Sequence, residues 1–169
     1  MLERSQPLGT FSSVKGLVFR DDGRLLVLHR SLDDPNRPGM ADLPGGAVRE
    51  GEDFGQAVRR EVAEETGIDV ETQALDMEPV WAGTEVHPRF GDNALRIFYR
   101  IIVGRTVAET ITLSDEHSGH EWVPPDRARA LLVHPPHATA LAHLARIGML
   151  QSVVHAEANL SVLADQRAS

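Results

Sequence analysis

A chain of 169 residues and 18.5 kDa has room for one domain of ordinary size and little for a second independently packed one. Its 41% hydrophobic and 25% charged residues supply a core and exclude wholesale disorder, while a formal charge of −8 repels nucleic-acid backbones and anionic membranes, so neither partner is expected. Without cysteine there are no disulfides or thiolate sites, and with no apolar run of about 18 residues and no signal-type start the chain is expected to be soluble and cytoplasmic.

In chain order, residues 14–20 and 24–30 are β-rich runs separated by Asp21-Asp22-Gly23, a strong turn signal, and predict a hairpin. Residues 31–46 (SLDDPNRPGMADLPGG) are too broken by Pro, Gly, Asp and Asn for either regular element and predict an ordered, function-bearing loop. A helix follows over residues 54–66, with Asp53 as N-cap and Gly67 as its left-handed stop. Residues 78–86 and 94–103 predict strands, the second (ALRIFYRIIV) being apolar enough to be central in a sheet. A short strand is expected at residues 121–123, a helix opened by Pro124-Pro125 at residues 126–132, and another helix at residues 138–150. Residues 151–169 carry only weak helical spacing and form a C-terminal tail without an assigned role.

The helix at residues 54–66 breaks the usual burial pattern. With Phe54 at zero and about 100° per residue, Ala57, Val58 and Val62 fall at roughly 300, 40 and 80° and define a buried sector. Glu61, Glu64 and Glu65 fall near 340, 280 and 20°, inside or beside that sector, while Arg59 and Arg60 leave from the other side. Three carboxylates at i, i+3 and i+4 repel one another, so something cationic must compensate. A solvated acidic face, or pairing with Arg59 and Arg60, competes with a metal site. Oxygen-only donors without His or Cys would select a hard ion, Mg²⁺ or Mn²⁺ in its place.

From Gly46 to Ile68 the chain reads GAVREGEDFGQAVRREVAEETGI, which resembles the Nudix hydrolase signature, G-x5-E-x7-R-E-U-x-E-E-x-G-U with U aliphatic. Gly46, Glu52, Arg60, Glu61, Val62, Glu64, Glu65, Gly67 and Ile68 all match, and Leu43-Pro44-Gly45 resembles the usual lead-in. The resemblance implies a single α/β domain, an α/β/α sandwich around a mixed sheet, and hydrolysis of a nucleoside diphosphate linked to another moiety. It implies Glu61, Glu64 and Glu65 as Mg²⁺-binding and water-activating carboxylates, with the Gly45 carbonyl as a further ligand. Arg60 would orient the glutamates, and Glu52, with Gly46 and Gly67, would hold the geometry of the box. The alternative is a nucleotide-binding sensor that keeps the fold without turnover.

Outside the box, Glu116 in SDEHSGHEW resembles the extra acidic residue that many members bring from a distant loop as ligand or base, which makes Glu64, Arg60 and Glu116 the expected catalytic set. His120-Glu121 opens a false zinc motif, because Pro124 stands where the second His is required. Trp81 and Phe90 are candidates to stack on a base, and Arg89 to pair with a phosphate. No subgroup mark selects among (d)NTPs, nucleotide sugars including ADP-ribose, and dinucleoside polyphosphates; the oligomeric state is not written in the sequence, and a homodimer is what the resemblance implies.

Overall fold

The computed structural model describes residues 10–86 and 93–150. In chain order these form β1 (Thr10–Arg20), β2 (Leu25–Arg30), β3 (Ala41–Asp42), α1 (Phe54–Thr66), α2 (Val70–Gln73), β4 (Ala74–Val86), β5 (Asn93–Val103), α3 (Arg105–Ala108), β6 (His117–Val123), α4 (Pro125–Leu131) and α5 (Pro135–Arg146). The hairpin of β1 and β2 turns where expected, with the Arg20 carbonyl accepting from Gly23 N–H at 2.8 Å and Gly23 at φ +84°.

α1 begins and ends where its caps place it. The Asp53 side chain accepts from Gln56 N–H and the Gln56 side chain returns to the Asp53 backbone, a reciprocal capping box, while Gly67 closes the helix at φ +74°. β4 starts at Ala74, earlier than residue 78, because its pairing with β5 runs back to Ala74↔Val103. α2 and α3 are short turns without a periodic signature in the sequence, and β6 starts at His117, before residue 121. α5 begins at Pro135, where a missing N–H costs no helical bond, and stops at Arg146, two residues before Gly148 at φ +76°.

The mixed sheet has the order β3-β2-β1-β5-β4, with β6 on β2. β1 and β5 are parallel from Thr10↔Asn93 to Arg20↔Val103, which makes β5 an interior strand as its composition predicts. The β1–β2 register is Phe19↔Leu25, at the hairpin end. Further along β1 its edge is taken by the loop before α1: Gly16 N–H donates to Pro44 O at 2.7 Å, Val14 N–H to Gly46 O at 2.9 Å and Val48 N–H to Ser12 O at 3.0 Å. The sheet therefore splits at this point, and side chains from both of its faces reach one opening.

Each face of the sheet carries its own core, giving the expected α/β/α sandwich. Val14, Val18, Leu26 and Leu28 pack with Ala57, Val58 and Val62 of α1, and with Tyr99 and Ile101. Leu17, Phe19, Val27 and Phe98 pack on the opposite face with Leu132 and with Ala140, Leu141 and Leu144 of α5. Val58 and Val62 are fully buried, each contributing about 1.5–3 kcal/mol, and this burial sets the depth at which α1 docks. Among the described residues no helix is long and apolar enough to cross a membrane.

Candidate active site

The opening at the split is a cavity of about 330 Å³ whose walls include Glu61 and Glu65 of α1, Gly45 and Gly46 of the loop, and Glu116. Two glycines let the loop approach α1 this closely. Gly45 has φ +140°, and a Cβ there would lie 2.2 Å from the Val14 carbonyl oxygen. At Gly46 a Cβ would stand 2.8 Å from both carboxylate oxygens of Glu61, in the space that carboxylate occupies.

The three box glutamates differ in environment. Glu65 is 7% exposed, and its Oε2 accepts from Gly45 N–H at 2.9 Å. Burial pushes its carboxyl up to about 7, with the charges of Glu61 and Asp42 adding to the rise and Lys15 and the Gly45 N–H opposing it. Glu61 is partly buried against Gly46, whereas Glu64 is exposed and bound by Arg49 Nη2 at 3.2 Å. The expectation that all three acids turn inward is thus corrected for Glu64. The buried arc extends past Val62 to Thr66, which puts Glu64 at its margin.

Arg60 also departs from the wheel reading, because its long side chain reaches the adjacent Glu61, Glu64 one turn on, and the loop before the helix. Its Nε and Nη2 clasp both oxygens of Glu52 at 2.7 and 2.8 Å, its Nη2 reaches Ala47 O at 3.0 Å, and its Nη1 reaches Glu61 at 2.5 Å and Glu64 at 3.3 Å. One guanidinium thus ties the loop to two of the box carboxylates, a fork geometry that lysine lacks. Arg60 in turn holds the Glu52 carboxyl well below its ordinary value.

The cavity also holds a group of cations that sequence reasoning missed. Lys15, Arg30, Arg37 and Arg96 line the same cavity. Asp42, fully buried at the end of β3, accepts from Lys15 Nζ at 3.0 Å, Arg30 Nη1 at 2.7 Å and Arg37 Nη2 at 3.3 Å. Burial alone would raise the Asp42 carboxyl, but Lys15 and Arg37 outweigh it and hold it well below the usual carboxylate range. Arg96 donates from Nε to Ser13 Oγ at 3.0 Å and pairs with Glu85 at 2.9 Å. An alternation reading of β1 and β5 could have flagged Lys15 and Arg96, each a cation at an inward position of an apolar strand.

Arg96 also lines a second cavity of about 200 Å³, with Trp81, Glu85, Pro135, Pro136 and Thr139. Trp81 is half-buried and meets Phe98 edge-on, ring centroids 5.4 Å apart, so it serves both core and cavity wall. Arg89 and Phe90 lie outside the described residues. His117, beside Glu116, is buried with neither ring nitrogen hydrogen-bonded, and burial lowers its pKa to about 4.

Among the described residues no three acidic or imidazole side chains form a closed ion site, so the carboxylates are an open set. Their chemistry still fits a hard divalent cation. The donors are all oxygen, one carboxylate is buried with a single backbone N–H partner, and Gly46 leaves room beside another.

A family model described as NUDIX domain matches residues 9–144. The chain is similar to a MutT-like protein of Streptomyces ambofaciens, 34% identical over 122 residues, 72% of this chain and 68% of the relative. It is also similar to a Bacillus subtilis (strain 168) protein provisionally named an 8-oxo-dGTP diphosphatase, 31% identical over 117 residues, 69% of this chain and 68% of the relative. Among solved structures, the MutT protein from Methanosarcina mazei Go1 superposes with a TM-score of 0.66 at 26% identity, over 85% of this chain and 99% of that one. With the box complete and the family match spanning most of its length, the chain belongs to the NUDIX hydrolase family.

Proposed function

We propose that this chain is a Mg²⁺-dependent pyrophosphohydrolase, with Mn²⁺ able to substitute, that cleaves the P–O–P bond of a nucleoside diphosphate linked to another moiety. The observation that carries this reading is that Glu61, Glu65 and Glu116 line one cavity together with Lys15, Arg30, Arg37 and Arg96. An anionic phosphate chain in this cavity would be met by the cations directly and by the carboxylates only through metal ions. Glu61, Glu64, Glu65, Glu116 and the Gly45 carbonyl would hold those ions, which would neutralise developing charge and lower the pKa of bound water.

The remaining work falls to this chain's own residues. Arg60 orients Glu61 and Glu64 and ties them to the loop through Glu52. Glu64 and Glu116 are the carboxylates of the set open to solvent, and either would take the proton of a water attacking phosphorus. A new P–O bond forms as the anhydride P–O bond breaks and the leaving phosphate departs. The cavity beside Trp81 takes the nucleoside, with Arg96 at the junction between base and phosphates. A sensor without turnover has no chemical use for mutually repelling carboxylates at the base of a cavity.

Incubation with Mg²⁺ and a panel of (d)NTPs, nucleotide sugars and dinucleoside polyphosphates, with identification of the bond cut, tests the reading. Metal-dependent release of a phosphate product from at least one class is expected. Tight nucleotide binding without turnover across the panel would favour the sensor.

A further inference from the structure

Trp81, Gly83 and Glu85 are alternate residues of β4, in unbroken register with β5 from Trp81↔Phe98 to Val86↔Asn93, so all three share one face of the sheet. They line the cavity of about 200 Å³ together with Pro135, Pro136 and Thr139 from the start of α5. The two prolines bring no N–H to it, and Thr139 Oγ1 donates within the helix to Pro135 O at 2.9 Å. Glu85 is engaged through Oε1 by Arg96 Nη2 at 2.9 Å. The lining is thus an indole and two pyrrolidine rings with one ion pair among them. Its volume is below the roughly 300 Å³ at which pockets enclose a drug-sized ligand, so it has room for one ring system and not for a sugar and phosphates as well.

Gly83 decides where that indole lies. Its φ is not positive, so no backbone conformation reserves the position for glycine. Space does. A Cβ at residue 83 would stand 2.2 Å from Trp81 Cη2 and 2.6 Å from Cζ2, so the outer ring of the indole takes the place of a side chain there. Phe98, fully buried, meets the same indole edge-on and blocks retreat into the core. An indole pushed off residue 83 therefore turns into the cavity or out to solvent, and either way the cavity loses its aromatic wall. We propose that Gly83 is the positioning residue of a slot for one planar ring, a nucleobase, and that by leaving room for the Trp81 indole along β4 it makes the slot read ring size. A purine overlaps the indole over more area than a pyrimidine and gains more from it. This rests on the hydrolase reading for the phosphates beside the slot and goes beyond it in naming what the slot selects.

The test follows the indole N–H signals of the two tryptophans, Trp81 and Trp122, by heteronuclear NMR, with Trp81→Phe to assign them. Adenosine monophosphate and cytidine monophosphate, alike in sugar and phosphate and different in ring size, are titrated with a chelator present, so that neither metal nor turnover enters. In wild type the Trp81 signal is expected to move and that of Trp122 to stay, with at least about threefold tighter binding of the purine nucleotide. In Gly83→Ala the Trp81 signal should be displaced before any ligand is added, and purine affinity should fall at least about fivefold while pyrimidine affinity changes less. Trp81→Phe removes the outer ring that a Cβ at residue 83 would meet, so adding Gly83→Ala to it should cost no further affinity. A merely structural role for Gly83 would give equal losses in both backgrounds and leave the purine-to-pyrimidine ratio unchanged. Should Gly83→Ala fold poorly, recovery of the fold by Trp81→Phe shows the same coupling, and no recovery overturns the proposal. A Trp81 signal unmoved by either nucleotide in wild type, or equal losses in the two backgrounds, also overturns it. Preferential purine binding at Trp81 in a protein that hydrolyses none of the panel would sustain the slot while removing the hydrolase reading, and turnover with an unmoved Trp81 signal would do the reverse.

Discussion

Replacing Glu65 with Gln separates the metal site from the fold, because the two respond in opposite directions. In the metal-free protein the Glu65 carboxyl titrates near 7 against an ordinary value of 4.5. Between those values the folded chain holds a proton that the unfolded chain has released, so stability falls as pH rises through this window and levels off above it. The shift corresponds to about 3 kcal/mol, and the side chain is buried deeply enough that solvent screening removes little of it. Gln is neutral, similar in shape, and able to accept the Gly45 N–H. With a chelator present at pH 8, Glu65→Gln is therefore expected to unfold at a temperature about 6–12 °C above wild type, and near pH 5 the two should nearly coincide. The same variant should lose Mg²⁺-dependent hydrolysis, and added Mg²⁺ should raise the melting temperature of wild type alone. Scanning calorimetry across pH, with and without Mg²⁺, checks the stability outcomes, and a phosphate-release assay checks the loss of hydrolysis. A variant less stable than wild type at pH 8, or a difference that does not change with pH, would refute the assignment of Glu65 as a carboxylate buried at the expense of the fold.

Three further outcomes follow from side-chain environments. His117 stays neutral in the fold, with its pKa lowered from 6.5 to about 4, so its contribution is present above 6.5 and lost as pH falls toward 4; His117→Leu should remove up to about 3 kcal/mol of the acid-side loss, and an unchanged slope between urea titrations at pH 7 and pH 5 would count against it. Gly45→Ala and Gly46→Ala should part company: the first meets the Val14 carbonyl and should destabilise by several kcal/mol, whereas the second meets only the mobile end of Glu61 and should keep near-wild-type stability while losing metal-dependent turnover. Glu116→Ala should lower kcat at least tenfold, about 1.4 kcal/mol of barrier, and unchanged kinetics would return Glu116 to the role of an exposed loop acid.

What could be read from the sequence was what short-range physics decides. Asp53 and Gly67 bound α1 to the residue because capping acts through hydrogen bonds within one turn, and Asp21-Asp22-Gly23 fixes a hairpin for the same reason. The parallel pairing of β1 with β5 left no local mark, since its partners lie more than eighty residues apart. The wheel placed Glu65 correctly and Glu64 wrongly because it weighs direction alone. Thr66 is buried and carries the packed arc away from Glu64, while Arg60, one turn before Glu64 on the same face, pairs with it.

The same reasoning explains why the carboxylate wall was legible and the cationic wall was not. Glu61, Glu64 and Glu65 sit within one and a half turns of helix, so their mutual repulsion is visible in a string of letters and demands a counter-charge. Lys15, Arg30, Arg37 and Arg96 come from β1, β2, the loop and β5, and each alone is an unremarkable base. Only the split between β1 and β2 brings them together, and it does so around Asp42, whose burial would be prohibitive without them. The split also joins the two walls, since it lets α1 from one face of the sheet and Lys15 and Arg96 from the other reach one cavity. On the proposed reading such a site would bind a phosphate chain both through ions held by its carboxylates and through its fixed cations, so metal affinity and substrate affinity should respond to different substitutions.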